Sequence, residues 1–257
     1  MSEPKAIAIL IDNSSTSING DYFQNRLDAQ RNAAVLLADY HFSAHRESQI
    51  SIFTTGSKEH GIRTSFTSSN QRISESLQSI TCGGSVALNK CIRAAILAFH
   101  HLDYPNASKH ILCFVGGPHD ITQPIADDLA KLLESESIIG SFFIFGSNIP
   151  GLDTLKSIVK QNKKSVFEVL SPNGIVVSDS VLGSELGPGK DNSKVKIDEI
   201  GKIDPFLANE LRHSYHHICM NNAGIIPQIP SEAAKSSKKS KQKGPHGATR
   251  KTQKKDP

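Results

Sequence analysis

The chain has 257 residues and carries 29 Lys or Arg against 25 Asp or Glu, a formal net charge of +4. That length suits one sizeable domain with an appendage, or two small domains. No apolar run reaches the roughly eighteen residues that a membrane helix needs, so the composition excludes a spanning segment. The four cysteines form no C-x-x-C pair and no histidine cluster has zinc spacing. With no signal-peptide pattern at the start, this predicts a reducing, intracellular compartment.

The charge is distributed unevenly along the chain. Residues 231–257 hold nine Lys or Arg and two acids, which leaves 20 basic and 23 acidic residues in 1–230. The basic segment has no large apolar side chain to bury, so we predict that it is disordered. Such a segment can bind polyanions non-specifically or act as a nuclear address. We expect no specific nucleic-acid partner and no membrane partner.

Apolar runs alternate with amphipathic segments through most of the chain. Residues 6–11 form an almost continuous apolar run, which is typical of a strand buried on both faces. A helix is predicted from Phe23 to about Tyr40, with an apolar stripe interrupted only by Gln30 and Arg31. The later predicted elements are a strand at 49–54, a helix at 71–79, a glycine-rich loop at 81–85, a helix to about 101, a strand at 110–115, a helix at 121–135, a strand at 138–145, a helix at 152–161 and a strand at 165–170.

This order of elements predicts the fold class. Serial strand–helix units with short connections form a mostly parallel α/β sheet with helices on both faces. We expect this domain to occupy residues 1–189. A polar linker at 190–203, a single helix at 204–221 and the disordered basic tail at 222–257 follow it.

The end of the first strand carries the most informative polar cluster. Asp12, Ser14 and Thr16 follow it directly, and α/β sheets place their ligands at the carboxyl ends of their strands. The spacing resembles the D-x-S-x-S/T cation site of von Willebrand factor A domains.

The resemblance becomes specific when neighbouring segments are added. Residues 11–14, 19–21 and 26–30 are similar to one von Willebrand A family, the multiubiquitin-receptor subunit of the 26S proteasome regulatory particle. Residues 92–100, 114–118, 129–133 and 142–146 resemble later elements of that family in the same order, so the likeness covers about 5–188. The resemblance implies a Rossmann-like A domain in a non-catalytic subunit that bridges the proteasome lid and base. It also implies receipt of polyubiquitinated substrates, and a cytoplasmic and nuclear location.

The cation site of such domains is incomplete in this chain. A cation needs oxygen ligands from several loops, and the first loop offers Asp12, Ser14 and Thr16. The second loop has Ser85 where the family pattern has a threonine, and the third has Gly116 where an aspartate normally follows the strand. We therefore predict no bound metal and no other cofactor. Asp12 and Ser14 are expected to bond loop amides and the start of the next helix instead.

The predicted helix at 204–221 resembles a ubiquitin-interacting motif. Leu207, Leu211 and Ser214 occupy the motif's contact positions. Glu210 stands where the motif has a small alanine, and His216 and His217 replace its trailing acids. A glutamate there buries charge or separates the two surfaces, so weakened binding and no binding both remain open.

Other functional classes have weaker support. A metal-dependent ligand-binding or adhesion A domain requires the missing third-loop carboxylate. A transcription or repair scaffold of this fold often carries a zinc module, which the scattered cysteines disfavour. An enzyme is disfavoured because the chain has no G-x-G-x-x-G after its first strand, no P-loop and no G-x-S-x-G. Its one suggestive pair, His119 and Asp120, is more typical of a turn or helix cap.

Overall fold

A six-stranded sheet forms the centre of the domain. The strands run in the order β3-β2-β1-β4-β5-β6, and all pairs are parallel except β2 with β3. They comprise β1 (Lys5–Ile11), β2 (Gln49–Thr54), β3 (Gly61–Thr67), β4 (Ser108–Val115), β5 (Ile139–Phe145) and β6 (Val166–Leu170).

Helices cover both faces of this sheet. One face packs against α1, α2 and α6, and the other packs against α3, α4 and α5. The predicted α/β fold with a mostly parallel sheet is confirmed. The helices are α1 (Arg26–Ala44), α2 (Asn70–Gln78), α3 (Leu88–Ala98), α4 (Gln123–Ser135), α5 (Leu152–Val159) and α6 (Val177–Leu182), with 3-10 turns at Ser15–Ile18 and Phe99–His101.

The computed structural model describes residues 3–22, 25–58, 60–160, 164–172 and 177–187. The predicted linker, the helix with Leu207, Leu211 and Ser214, and the basic tail lie outside these residues. Within the described ranges, no helix has both the length and the apolar character needed to cross a membrane.

The central strand explains the continuous apolar pattern at residues 6–11. Side chains alternate along a strand, so Ile7, Ile9 and Ile11 enter the α1 core while Ala8 and Leu10 enter the α3 core. All five are fully buried. Because β1 pairs in parallel with both β2 and β4, the loops that follow these three strands meet at one edge of the sheet. We call it the carboxyl edge. It comprises the loops 12–18, 55–58 and 116–120, together with the loop 81–85 before α3, which bonds to Asn13.

Two elements and several boundaries differ from the predictions. The strand β3 was missed because it is an exposed edge strand with only two large apolar residues, Ile62 and Phe66. The helix α6 was missed because six residues are too few to show helical periodicity. The helix α1 begins at Arg26 rather than Phe23, since the side chain of Asn25 caps it by accepting from the Asp28 amide at 2.8 Å.

Two histidines are buried in the core on the α1 side. His41 Nε2 lies 2.7 Å from the carbonyl oxygen of Leu186, and His110 Nε2 lies 3.0 Å from Ser108 Oγ. Each side chain is 4% exposed. Burial, reinforced by the nearby Lys5 cation, lowers the pKa of each imidazole to about 3. Both rings are therefore neutral in the folded protein at neutral pH.

Candidate binding site at the carboxyl edge of the sheet

Asp12 is the first residue after β1, and its carboxylate is fully buried. Its Oδ1 accepts a hydrogen bond from the Ser14 amide at 2.9 Å, and its Oδ2 accepts one from the Gly116 amide at 2.5 Å. Both oxygens are thus bonded to backbone amides, one in each of two loops. This is the loop-amide role that the sequence predicts for Asp12. The same prediction is wrong for Ser14, whose hydroxyl contacts Thr16 and does not cap the following 3-10 turn.

Gln30 fixes the backbone of Asp12 from the neighbouring helix. The Asp12 amide donates to Gln30 Oε1 at 2.7 Å, and Gln30 Nε2 donates to the Asp12 carbonyl at 3.1 Å. Gln30 is fully buried. Gln30, which interrupts the apolar stripe of α1, therefore holds the backbone of Asp12, a role that the sequence alone did not predict. The one indication in the sequence was a polar residue within the apolar face of the helix that follows the site.

Asn13 connects three loops of the carboxyl edge. Its Oδ1 accepts from the Gly56 amide at 2.6 Å, its Nδ2 donates to the Thr81 carbonyl at 2.9 Å, and its own carbonyl accepts from the Gly83 amide at 2.8 Å. A Cβ atom at Gly56 would lie 2.7 Å from Asn13 Oδ1. Only glycine allows the loop after β2 to approach this closely.

The hydroxyl groups predicted as remnants of a cation site fall into two separate contacts. Ser14 Oγ and Thr16 Oγ1 lie 2.8 Å apart, beside the third loop. Ser85 instead contacts Ser57, with their hydroxyl oxygens 3.2 Å apart. The structure therefore brings Asp12, Ser14 and Thr16 together and gives Ser85 a different hydrogen-bond partner.

Arg26 places a positive charge beside the third loop of this edge. Its Nε and Nη2 donate to the two carboxylate oxygens of Asp21 at 2.8 and 2.5 Å, and its Nη1 donates to the carbonyl of Gly116. The guanidinium carbon lies 5.9 Å from the ring centroids of Tyr22 and Phe145. The hydrogen bond to Arg26 lowers the pKa of Asp21, and the same bond raises the pKa of Arg26. Asp21 and Arg26 entered the sequence analysis only as family markers, so this role was missed.

His119 and Asp120 bind different partners. Asp120 Oδ1 accepts from the Asn89 amide at 3.1 Å, in the first turn of α3, and His119 Nδ1 accepts from the Ile121 amide at 3.3 Å. Burial lowers the pKa of His119. These contacts are those of a turn and a helix cap. Asp120 is thus directed toward α3 rather than folded back toward Asp12.

The described ranges show neither a conventional metal site nor a reactive cysteine among the buried thiols. These ranges contain no group of three or more His, Cys, Asp or Glu side chains placed to hold a metal ion. Burial raises the pKa of Cys91 to about 11 and that of Cys113 well above its usual value. Both therefore remain protonated thiols at neutral pH, where they are poor nucleophiles.

This fold, in which a polar loop follows β1 and helices cover both faces of the sheet, resembles that of known proteins. The family model described as von Willebrand factor type A domain matches residues 7–119. Residues 7–119 thus match the von Willebrand factor A family, and the fold is that of an A domain. The match includes Asp12, Arg26 and Gly116, so the whole network around Asp12 lies inside the A domain.

Curated relatives of the A domain are proteasome subunits. The 26S proteasome non-ATPase regulatory subunit 4 of Dictyostelium discoideum is 27% identical over 74% of this chain and 56% of its own length. The 26S proteasome regulatory subunit rpn10 of Schizosaccharomyces pombe is 24% identical over 80% of this chain and 85% of its own. The chain is homologous to these subunits, and it spans about half the length of most curated relatives it matches.

A solved structure agrees with the fold. The SpRpn10 VWA domain superposes with a TM-score of 0.64 at 22% identity, covering 72% of this chain and 98% of that domain. This likeness supports the A-domain architecture described above.

Proposed function

We propose that this chain is a non-catalytic subunit of the 26S proteasome regulatory particle, whose A domain bridges the lid and the base. The observation that carries the proposal is homology over about three quarters of the chain to proteasome subunits named as non-ATPase or regulatory. Such a subunit works in the cytoplasm and the nucleus and needs no cofactor of its own.

The carboxyl edge has the physical properties of a docking surface. Asn13 and Asp12 hold its loops against one another by buried hydrogen bonds, so the edge presents a defined shape. Ile18, in the 3-10 turn of this edge, is 65% exposed. Rigidly held loops with an exposed apolar side chain suit a protein partner, because little conformational entropy is lost on binding.

Purification of a tagged full-length chain tests the proposal. We expect lid and base subunits to co-purify under conditions that preserve the 26S particle, and mass spectrometry identifies them. If neither lid nor base subunits are recovered while intact particles are present in the same extract, the proposal is wrong.

A matched pair of variants tests the docking edge. Ile18→Asp is expected to reduce the recovered particle at least tenfold, since a charge in the centre of an apolar contact opposes binding. Leu97→Asp is the control, because Leu97 is 64% exposed on α3, away from the carboxyl edge. Equal recovery with both variants would assign the contact to another surface.

We propose that the segment 204–221, which the sequence predicts to be a helix, binds ubiquitin weakly. Leu207 and Leu211 would contact the apolar patch of ubiquitin, and Ser214 would lie at the end of that contact. Glu210 limits the affinity because its carboxylate must be desolvated at the interface. This segment would receive polyubiquitinated substrates while the A domain holds the subunit in the particle.

Glu210→Ala is expected to strengthen ubiquitin binding about tenfold, which corresponds to removal of about 1.4 kcal/mol of desolvation cost. Titration of the full chain with ubiquitin, followed by NMR or calorimetry, measures the change. Adding Leu207→Ala to Glu210→Ala should abolish the gain. If Glu210→Ala produces no measurable binding, the segment is not a ubiquitin receptor.

The alternative classes have less support. A metal-dependent A domain needs an accessible cation site, and the contacts of Asp12 and Gly116 oppose one. A transcription or repair scaffold has no specific support from the relatives, which are proteasome subunits.

A further inference from the structure

The carboxylate of Asp12 is buried, so its charge must be compensated inside the protein. In A domains of the metal-binding type, a divalent cation lies between the loop after the first strand and the third loop. Here Asp12 is fully buried at the same position, and the third loop contributes the backbone of Gly116 instead of a carboxylate. A buried carboxylate requires nearby positive charge or several hydrogen bonds.

The residues present do not fit a divalent cation. Both Asp12 oxygens accept hydrogen bonds from backbone amides, and the Gly116 carbonyl accepts one from Arg26. Hard cations bind oxygen ligands with free lone pairs directed inward. The carboxylate that would complete the set is missing, and a positively charged group contacts the residue that replaces it.

We infer that the guanidinium of Arg26 takes the place of the metal ion of this domain by joining the first helix to the third loop beside the buried carboxylate of Asp12. The geometry of Gly116 carries this inference. A Cβ atom there would lie 3.0 Å from Asp12 Oδ2 and 3.5 Å from Arg26 Nη1. A side chain at 116 would therefore emerge between the carboxylate and the guanidinium.

Arg26 is held firmly enough for this role. Asp21 binds it through both carboxylate oxygens, and the guanidinium carbon is equally distant from the rings of Tyr22 and Phe145. Its side chain is 12% exposed. A fork of several donors fixes a guanidinium in one orientation, which a lysine could not match. Asp21 pairs with Nε and Nη2, so a divalent cation bound at Asp12 would meet the Nη1 end of this ion pair, which is positive, and would be repelled.

The inference predicts that residues 26 and 116 together decide whether the domain binds a metal. Gly116→Asp restores the third-loop carboxylate, and Arg26→Gln removes the competing charge while keeping a hydrogen-bond donor. We expect Mn²⁺ to raise the Tm of the full-length Arg26→Gln/Gly116→Asp variant by several degrees and to bind it at least tenfold more tightly than either single variant. The wild-type chain and Gly116→Asp alone should show no Mn²⁺-dependent shift.

Electron paramagnetic resonance of free Mn²⁺ measures the binding, and differential scanning fluorimetry measures the Tm. Arg31→Ala is the matched control, since Arg31 lies on the same helix and pairs with Asp28 and two backbone carbonyls away from the third loop. If the double variant is unfolded without metal, recovery of its structure on refolding with Mn²⁺ is the expected result. Mn²⁺ binding by the wild type that Asp12→Asn removes would overturn the inference. The inference would also be wrong if a folded double variant did not bind Mn²⁺, or if an unfolded double variant did not refold with Mn²⁺. Equal Mn²⁺ binding by Gly116→Asp alone would overturn it as well.

Discussion

Lowering the pH from 7.5 to 4.5 is expected to remove about 5 kcal/mol from the free energy of unfolding, through His41 and His110 alone. The pKa of each imidazole is about 3 in the folded protein, against about 6.5 in an unfolded chain. Between those values the unfolded state binds more protons than the folded state. Stability is therefore complete above pH 6.5 and is lost as the pH falls toward 3.

The structural reason is that both rings are buried and that, among the described residues, the charged groups acting on them are positive. His41 faces the carbonyl of Leu186, and His110 faces a serine hydroxyl. The cations of Lys5 and Lys164 add repulsion against a proton on His110, and Lys5 does the same at His41. Each ring accounts for roughly 1 kcal/mol of the loss at pH 5.5 and roughly 3 kcal/mol at pH 4.5.

Urea unfolding followed by circular dichroism at several pH values measures this loss. His110→Leu should halve it, because one of the two protons taken up on unfolding is removed. His60→Gln is the matched control, because it removes an exposed histidine instead of a buried one. A loss of stability that is the same in His110→Leu and in the wild type would show that other groups are responsible.

Replacing Asp12 with alanine is expected to destabilise the domain by about 4 kcal/mol. The substitution leaves the amides of Ser14 and Gly116 without their acceptor inside the protein, and it leaves the charge of Arg26 less well balanced. Unpaired buried donors cost more than the hydrogen bonds themselves contribute. Chemical unfolding at pH 7.5 gives the difference directly.

Asp28→Ala is the matched control for that substitution. Asp28 pairs with Arg31 and accepts a hydrogen bond from the capping side chain of Asn25, and it is 29% exposed, so its removal should cost about 1 kcal/mol, well below the cost of Asp12→Ala. A cost for Asp12→Ala as small as that of Asp28→Ala would mean that the loop amides find water or other acceptors.

The local pattern of apolar and polar residues was sufficient to predict most of the strands and helices. The apolar run at 6–11 predicted β1 because a strand covered on both faces needs apolar side chains at every position. The periodicity of α3 and α4 predicted helices for the matching reason, since their apolar stripes face the sheet. The strand β3 escaped prediction because its exposed edge position does not require an apolar pattern.

For the carboxyl edge too, some features could be predicted from the local sequence, and others depend on contacts between distant residues. The sequence by itself determined that Asp12, Ser14 and Thr16 follow the first strand and that Gly116 replaces a third-loop carboxylate. Only the tertiary structure decided that Gln30 holds the backbone of Asp12 and that Arg26 reaches the carbonyl of Gly116, 90 residues away in the chain. A side chain's partner at that separation depends on how a helix packs against the sheet, and no local periodicity records that geometry.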